Sequence, residues 1–143
     1  MQTYLPDANV LINCLRTEAA GHRKCRQWLE KAAQNGDAIA LCELVEVAFL
    51  RICTLPALRI APMTEALGFW NDLKAYRETV RLTAGHQHAV IFETLIKQHA
   101  VIGNDVNDAW LAALAMESDA VLVSADEGFA KFAGLKWLNP SAG

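Results

Sequence analysis

The chain has 143 residues, a formal net charge of −3, a hydrophobic fraction of 53% and 20% charged residues, a length that suits one domain over 1–143 with a sizeable core. The negative balance excludes nucleic-acid binding through a general excess of Lys and Arg, though not recognition of one specific anionic substrate. No apolar run approaches the roughly 18 residues of a membrane span, and Asp7 interrupts the N-terminus before a signal-peptide core can form. Cys14, Cys25, Cys42 and Cys53 show no C-x-x-C spacing and sit among apolar neighbours. They read as reduced core thiols of a cytoplasmic protein, not as a zinc site or a disulfide frame.

Taken in order, Thr3 to Pro6 reads as a short strand followed by Asp7, after which Val10, Leu11, Cys14 and Leu15 recur at helical spacing. A second helix is predicted from about His22 to Asn35, with Cys25, Trp28, Leu29 and Ala32 inward and Gly36 as its stop. Ala38 to Leu41 is a buried strand leading into a helix that runs to Cys53 and is apolar almost all round, so burial is expected. Its charges are Glu43, Glu46 and Arg51, and Glu43 and Glu46, three apart, share a face. Thr64 to Tyr76 is a helix grouping Leu67, Trp70 and Leu73, and Val80 to Leu82 is a third strand. His86 to His99 is a helix with Val90, Ile91, Leu95 and Ile96 inward, and His86 and His88 read as ordinary surface or satisfied histidines.

The stretch Gly103 to Met116 sets Asp105 and Asp108 in the first turn of a small-residue, apolar helix, with Asn104 as a side-chain N-cap. Ala120 to Ser124 is the clearest strand, Asp126 stands two residues beyond it before a short helix, and Lys136 to Leu138 is a last strand. Strands alternating with helices imply a mostly parallel sheet whose C-terminal strand ends share one edge. Asp7, Glu43, Glu46 and Asp126 follow such ends, and Asp108 opens the helix that feeds the fourth strand. Two ionised carboxylates about 4 Å apart repel by about 4 kcal/mol at an effective dielectric of 20, so the cluster needs a cation or raised pKa values. With no histidine or thiolate set, oxygen ligation suits Mg²⁺ or Mn²⁺, and such an ion points to hydrolysis of nucleic acid. Asp7 and Asp108 are the candidate metal ligands. Asp126 and a glutamate would bind a second ion or orient water, and Ser124 is placed either to add a hydroxyl or to hydrogen-bond locally.

These residues resemble the PIN-domain ribonucleases, and within them the VapC-like toxins of bacterial toxin–antitoxin pairs, along nearly the whole chain. Asp7-Ala8-Asn9-Val10-Leu11 is similar to the family's D-x-N-x-L opening, and Asp108 to Ala115 to its D-A-x-L-A-A-L-A helix. Leu122 to Asp126 resembles its L-V-[TS]-x-D strand end, and Phe129 to Pro140 its F-A-x-F-x-G-L-x-W-x-N-P tail. The resemblance implies a three-layer α/β/α fold and a Mg²⁺-dependent endoribonuclease acting on structured RNA, often tRNA or rRNA. It also implies a homodimer silenced by a cognate VapB-like antitoxin. The catalytic set it implies is Asp7, Asp108 and Asp126 with a glutamate.

One departure stands out. When Phe49-Leu50-Arg51 is laid on the family's E-F-L-R, the usual glutamate falls on Ala48. Glu46 is then the favoured third acid, with Glu43 beside it. Asp105 has no fixed counterpart in the family and is read as peripheral. The alternatives are a degenerate PIN module that binds RNA or a partner without cleavage and a haloacid-dehalogenase-like phosphatase. The latter needs a second Asp two residues after its nucleophile, where this chain has Asn9.

Overall fold

A computed structural model describes residues 1–142. Its centre is a five-stranded sheet, all pairs parallel, formed by β1 (Thr3–Pro6), β2 (Ala38–Leu41), β3 (Thr79–Arg81), β4 (Val121–Val123) and β5 (Trp137–Leu138) in the order β3-β2-β1-β4-β5. Six α-helices flank it as the outer layers of an α/β/α arrangement: α1 (Ala8–Leu15), α2 (His22–Gln34), α3 (Glu43–Cys53), α4 (Met63–Ala75), α5 (His86–His99) and α6 (Asp105–Glu117). The chain reverses on either side of β1, so β1 and β4 lie side by side at the centre and their C-terminal ends face the same edge.

The strands are short and apolar because the sheet is covered on both faces: Leu5, Ile39, Ala40, Leu41, Leu122 and Val123 are all buried. In α6, Ala109, Ala112, Ala113 and Ala115 are buried, and their small side chains let α5 lie close against it. Glu117, at the end of α6, ties the two together. Its carboxylate accepts the backbone N–H groups of Gly85, Gln87 and His88, at 2.7, 2.9 and 2.9 Å, which satisfies orphan donors at the start of α5. Gly36 ends the α2 turn at a positive φ of 72°, and Gly103 turns into α6 at 60°, both conformations that favour glycine.

Several expectations are corrected. Asn104 occupies the N-cap position of α6 in helical conformation, and its side chain makes no capping bond. The helix α3 is half-exposed: Val45, Phe49 and Cys53 form its inward stripe, while Val47 is 64% exposed. On α5 the inward face carries His88, Phe92 and Leu95, so Val90, two positions out of phase with His88, is 62% exposed. Leu67 likewise points out of α4, whose buried positions are Ala66, Trp70 and Leu73. His88 lies in the first turn of α5, buried, with Nε2 2.9 Å from the Trp110 carbonyl, and His86 is exposed. The four cysteines are buried thiols.

Phe49 is fully buried between Phe69 and Trp70, with ring centroids 5.6 and 5.8 Å away, and it joins α3 to α4. Phe49→Ala is therefore expected to cost about 3–5 kcal/mol in urea denaturation, the range for emptying a buried aromatic site. A loss under about 1 kcal/mol would show that this cluster does not hold α4 in place.

Candidate active site

Asp7 is fixed by the backbone before any ligand is considered. Its N–H donates to the Val123 carbonyl at 2.8 Å, which locks the end of β1 to β4. Its Oδ1 then accepts the Ala8 N–H at 2.7 Å as the N-cap of α1. Oδ2 accepts from the Ser124 hydroxyl at 3.2 Å and from the Asn9 amide at 3.4 Å. Asn9 also donates to Ser124 Oγ at 3.1 Å and accepts the Ala125 N–H at 3.1 Å. Ser124, fully buried, accepts the Asp126 N–H at 3.1 Å as well. One small lattice, Asp7-Asn9-Ser124, thus stitches the ends of two adjacent strands. Of the alternatives left for Ser124, the hydroxyl makes hydrogen bonds within the protein: it holds Asp7 and it closes its own turn. In the sequence Asn9 is a motif position and the residue that argues against a phosphatase; its part in holding Asp7 follows only from β1 and β4 being neighbours.

Asp108 arrives from the opposite side, in the first turn of α6, and shares with Asp7 a cavity of about 350 Å³. The walls include Asn9, Ala48, Arg51, Asn104 and Asn107. Unlike Asp7, the Asp108 carboxylate makes no hydrogen bond among the described residues. Burial, then the charges of Asp126, Asp7 and Asp105, push its pKa up from 3.8 to about 6, with Lys131 opposing. Asp7 is also raised: burial dominates, the hydrogen bonds from Ala8 and Ser124 pull back, and Asp126 adds to the rise. Asp126 is exposed at the rim, its Oδ1 accepting the Gly128 N–H at 2.8 Å. Lys131 is committed to Asp105, 2.8 Å away, so Asp105 serves as that lysine's partner.

Asp7, Asp108 and Asp126 are thus brought within one electrostatic neighbourhood, and Glu46 is not. On α3 the residues facing the cavity are Leu44, Val45, Ala48, Arg51 and Ile52, a helical stripe from which position 46 is turned away. Glu46 and Glu43 instead bracket Arg81 at the end of β3, at 3.7 and 3.4 Å. Ala48 occupies the wall itself. The departure noted in the sequence therefore has a spatial meaning: the position that faces the aspartates carries a methyl group, and the nearest glutamates sit on the same sheet edge, further toward β3.

Among the described residues no three His, Cys, Asp or Glu side chains close on one point. Two carboxylates suffice for Mg²⁺, which holds much of its water and takes one or two protein carboxylates. The donor set fits: two aspartates whose charges are held together against burial and mutual repulsion gain by sharing a divalent cation.

Residues 4–135 match the family model described as PIN domain. VapC ribonuclease Mb2897 of Mycobacterium bovis is 34% identical over 140 residues, 96% of this chain and 95% of that protein. Two solved structures share the fold. VapBC2 from Rickettsia felis, bound to a DNA fragment from its promoter, gives a TM-score of 0.71 at 18% identity, over 96% of this chain and 98% of that one. VapC20 of Mycobacterium tuberculosis, a Sarcin-Ricin loop cleaving toxin, gives 0.66 at 14% identity, over 93% and 98%.

The raised Asp108 pKa has a sign. Between 3.8 and about 6 the folded chain binds this proton more tightly than the unfolded chain, so stability falls as pH rises through that window and is flat above it. Asp108→Asn should then melt a few degrees above the parent at pH 7.5 without added metal, with the gap closing below about pH 4. Equal melting temperatures at both pH values would refute the burial of this charge.

Proposed function

The chain belongs to the PIN-domain family, among whose members the VapC ribonucleases are its relatives, and on that premise we propose that it is a Mg²⁺-dependent endoribonuclease. Mn²⁺ is expected to substitute. In this reading it is the toxin of a toxin–antitoxin pair, acts in the cytoplasm on structured RNA such as tRNA or rRNA, and is restrained by a cognate VapB-like antitoxin. The observation that carries the reading is the pairing of Asp7 and Asp108 across one cavity, both with raised pKa values. The likeness to a Sarcin-Ricin loop cleaving toxin supports a structured RNA loop as the substrate class.

Asp7 and Asp108 would hold the ion. When bound, it lowers the pKa of a coordinated water and neutralises the phosphodiester charge during in-line displacement. The Ser124 hydroxyl and the Asn9 amide orient Asp7 Oδ2, and the Ala8 N–H fixes Oδ1, so the carboxylate meets its ligand already aimed. Asp126, at the rim, adds negative charge that strengthens cation binding at Asp108. Glu46, the third acid favoured from the sequence, is paired with Arg81 outside the aspartate cavity, so in this reading it contributes little to the metal site.

Apolar surface supports association. Leu44, Val47, Leu82, Phe92, Val106 and Trp110 line a cavity of about 490 Å³, a surface suited to burial against a protein partner. Co-expression with a VapB-like protein, expected to be encoded beside it, should yield a co-purifying complex, and light scattering is expected to show a homodimer of the free chain. No helix among the described residues is long and apolar enough to cross a membrane.

Purified protein should cut total RNA in Mg²⁺ and stop in EDTA. Asp7→Asn and Asp108→Asn should each lower the rate at least about 100-fold, Ser124→Ala about 10- to 100-fold, and Glu46→Gln less than about tenfold. Mg²⁺ should also raise the melting temperature of the parent but not of Asp7→Asn. Cleavage that survives the chelator or either aspartate substitution would overturn the mechanism. Ala48 on the cavity wall favours one second reading, a module that binds RNA without cutting it. Binding without cleavage in Mg²⁺ would select that one.

A further inference from the structure

Arg51 is the one cationic residue among those lining the aspartate cavity, and it stands exposed in the last turn of α3. Four other arginines, Arg16, Arg26, Arg77 and Arg81, are paired with carboxylates. The Arg51 side chain forms no ion pair or hydrogen bond among the described residues, although Asp7 and Asp108 share its cavity. Asn104 and Asn107, both exposed, line the same space, and their side chains make no hydrogen bonds among the described residues. Three groups with unspent donors therefore border the two acids.

The charge balance gives this arrangement a purpose. A divalent ion on two aspartates leaves the pair neutral, Asp126 adds a further negative charge at the rim, and the whole chain carries −3. None of this attracts an RNA backbone. A guanidinium with five donors in a planar fork is suited to a phosphate oxygen pair. Resting on the ribonuclease reading above, we propose that Arg51 is a positioning residue. It clamps a backbone phosphate of the RNA beside the scissile linkage, with Asn104 and Asn107 donating to the same strand. It touches no reacting atom; it holds the strand in the cleft beside Asp7 and Asp108.

The test separates this from the cleavage reading. In an Asp7→Asn background, binding of a fluorescein-labelled single-stranded RNA of about 20 nucleotides is titrated against salt, with and without Arg51→Gln. One phosphate contact on single-stranded RNA is worth about 0.7 in the slope of log K against log salt. Arg51→Gln should flatten the slope by about that amount and Arg51→Lys should restore it. In single-turnover cleavage of total RNA with Mg²⁺, Arg51→Gln should need about tenfold more protein for half-maximal rate. Its plateau rate should stay within about twofold. An unchanged slope, or a plateau lost at unaltered half-maximal concentration, would overturn the clamp while leaving the nuclease intact. Failure of the parent to cut RNA, with a slope that still responds to Arg51→Gln, would overturn the nuclease and keep the phosphate contact. Because Arg51 is exposed, circular dichroism of each variant is expected to match the parent.

Discussion

Negative charges that the fold will not let apart are the constraint on which this molecule turns. Asp7 cannot retreat: its N–H is bonded to Val123 and one of its oxygens caps α1. Asp108 cannot retreat either, because α6 is anchored by buried alanines and leucines along its length. The parallel sheet brings Asp126 to the same edge. Burial first, and the neighbouring acids after it, raise the proton affinity of Asp7 and Asp108, and a bound cation would relieve the repulsive part. Much of the remaining architecture serves this tension: the strands are short, the helices lean on them lengthwise, and polar side chains gather where the strands stop.

The arrangement divides labour between two aspartates that look alike in sequence. Asp7 is held by three side-chain hydrogen bonds and is preorganised; Asp108 has none among the described residues and is governed by burial and charge. One supplies fixed geometry and the other supplies electrostatic demand. Ser124 links the first to the sheet, and its carbonyl in turn accepts the Trp137 indole N–H at 3.0 Å, so β5 braces the site from the far side. The tail motif that resembled the family's F-A-x-F-x-G-L-x-W-x-N-P therefore contributes through Trp137 to positioning a group near the acids.

How far the sequence could be read depended on the kind of information each residue carried. The five strands and the aspartates at their ends were legible, since alternation of strand and helix implies a parallel sheet and such sheets align their C-terminal ends. Glu46 was not placed by the same logic. Its location after β2 was right, but two residues of helical phase separate a side chain that enters the cavity, as Ala48 does, from one that meets Arg81. Phase also exposed Val47, Val90 and Leu67, which a count of apolar residues assigned to the interior. The Asn9 and Ser124 lattice joins residues from opposite ends of the chain, a pairing that only strand order reveals. Asn104 failed as a side-chain cap because its own backbone is already helical, and a side chain leaving from that conformation does not reach back to the first-turn N–H groups.

The double employment of Asp7 bears on how such a gene can decay. A carboxylate that caps α1 and also accepts from the Ser124 hydroxyl at the end of β4 cannot be truncated to an apolar side chain without loosening both contacts together. Asp108 carries no such hydrogen bonds among the described residues, and its raised pKa means that losing its charge is expected to relieve the fold. Were the chain the toxin proposed above, selection against an active copy would accumulate lesions at the second aspartate before the first, leaving disarmed descendants that still fold and still occupy whatever inhibitor the parent would have met.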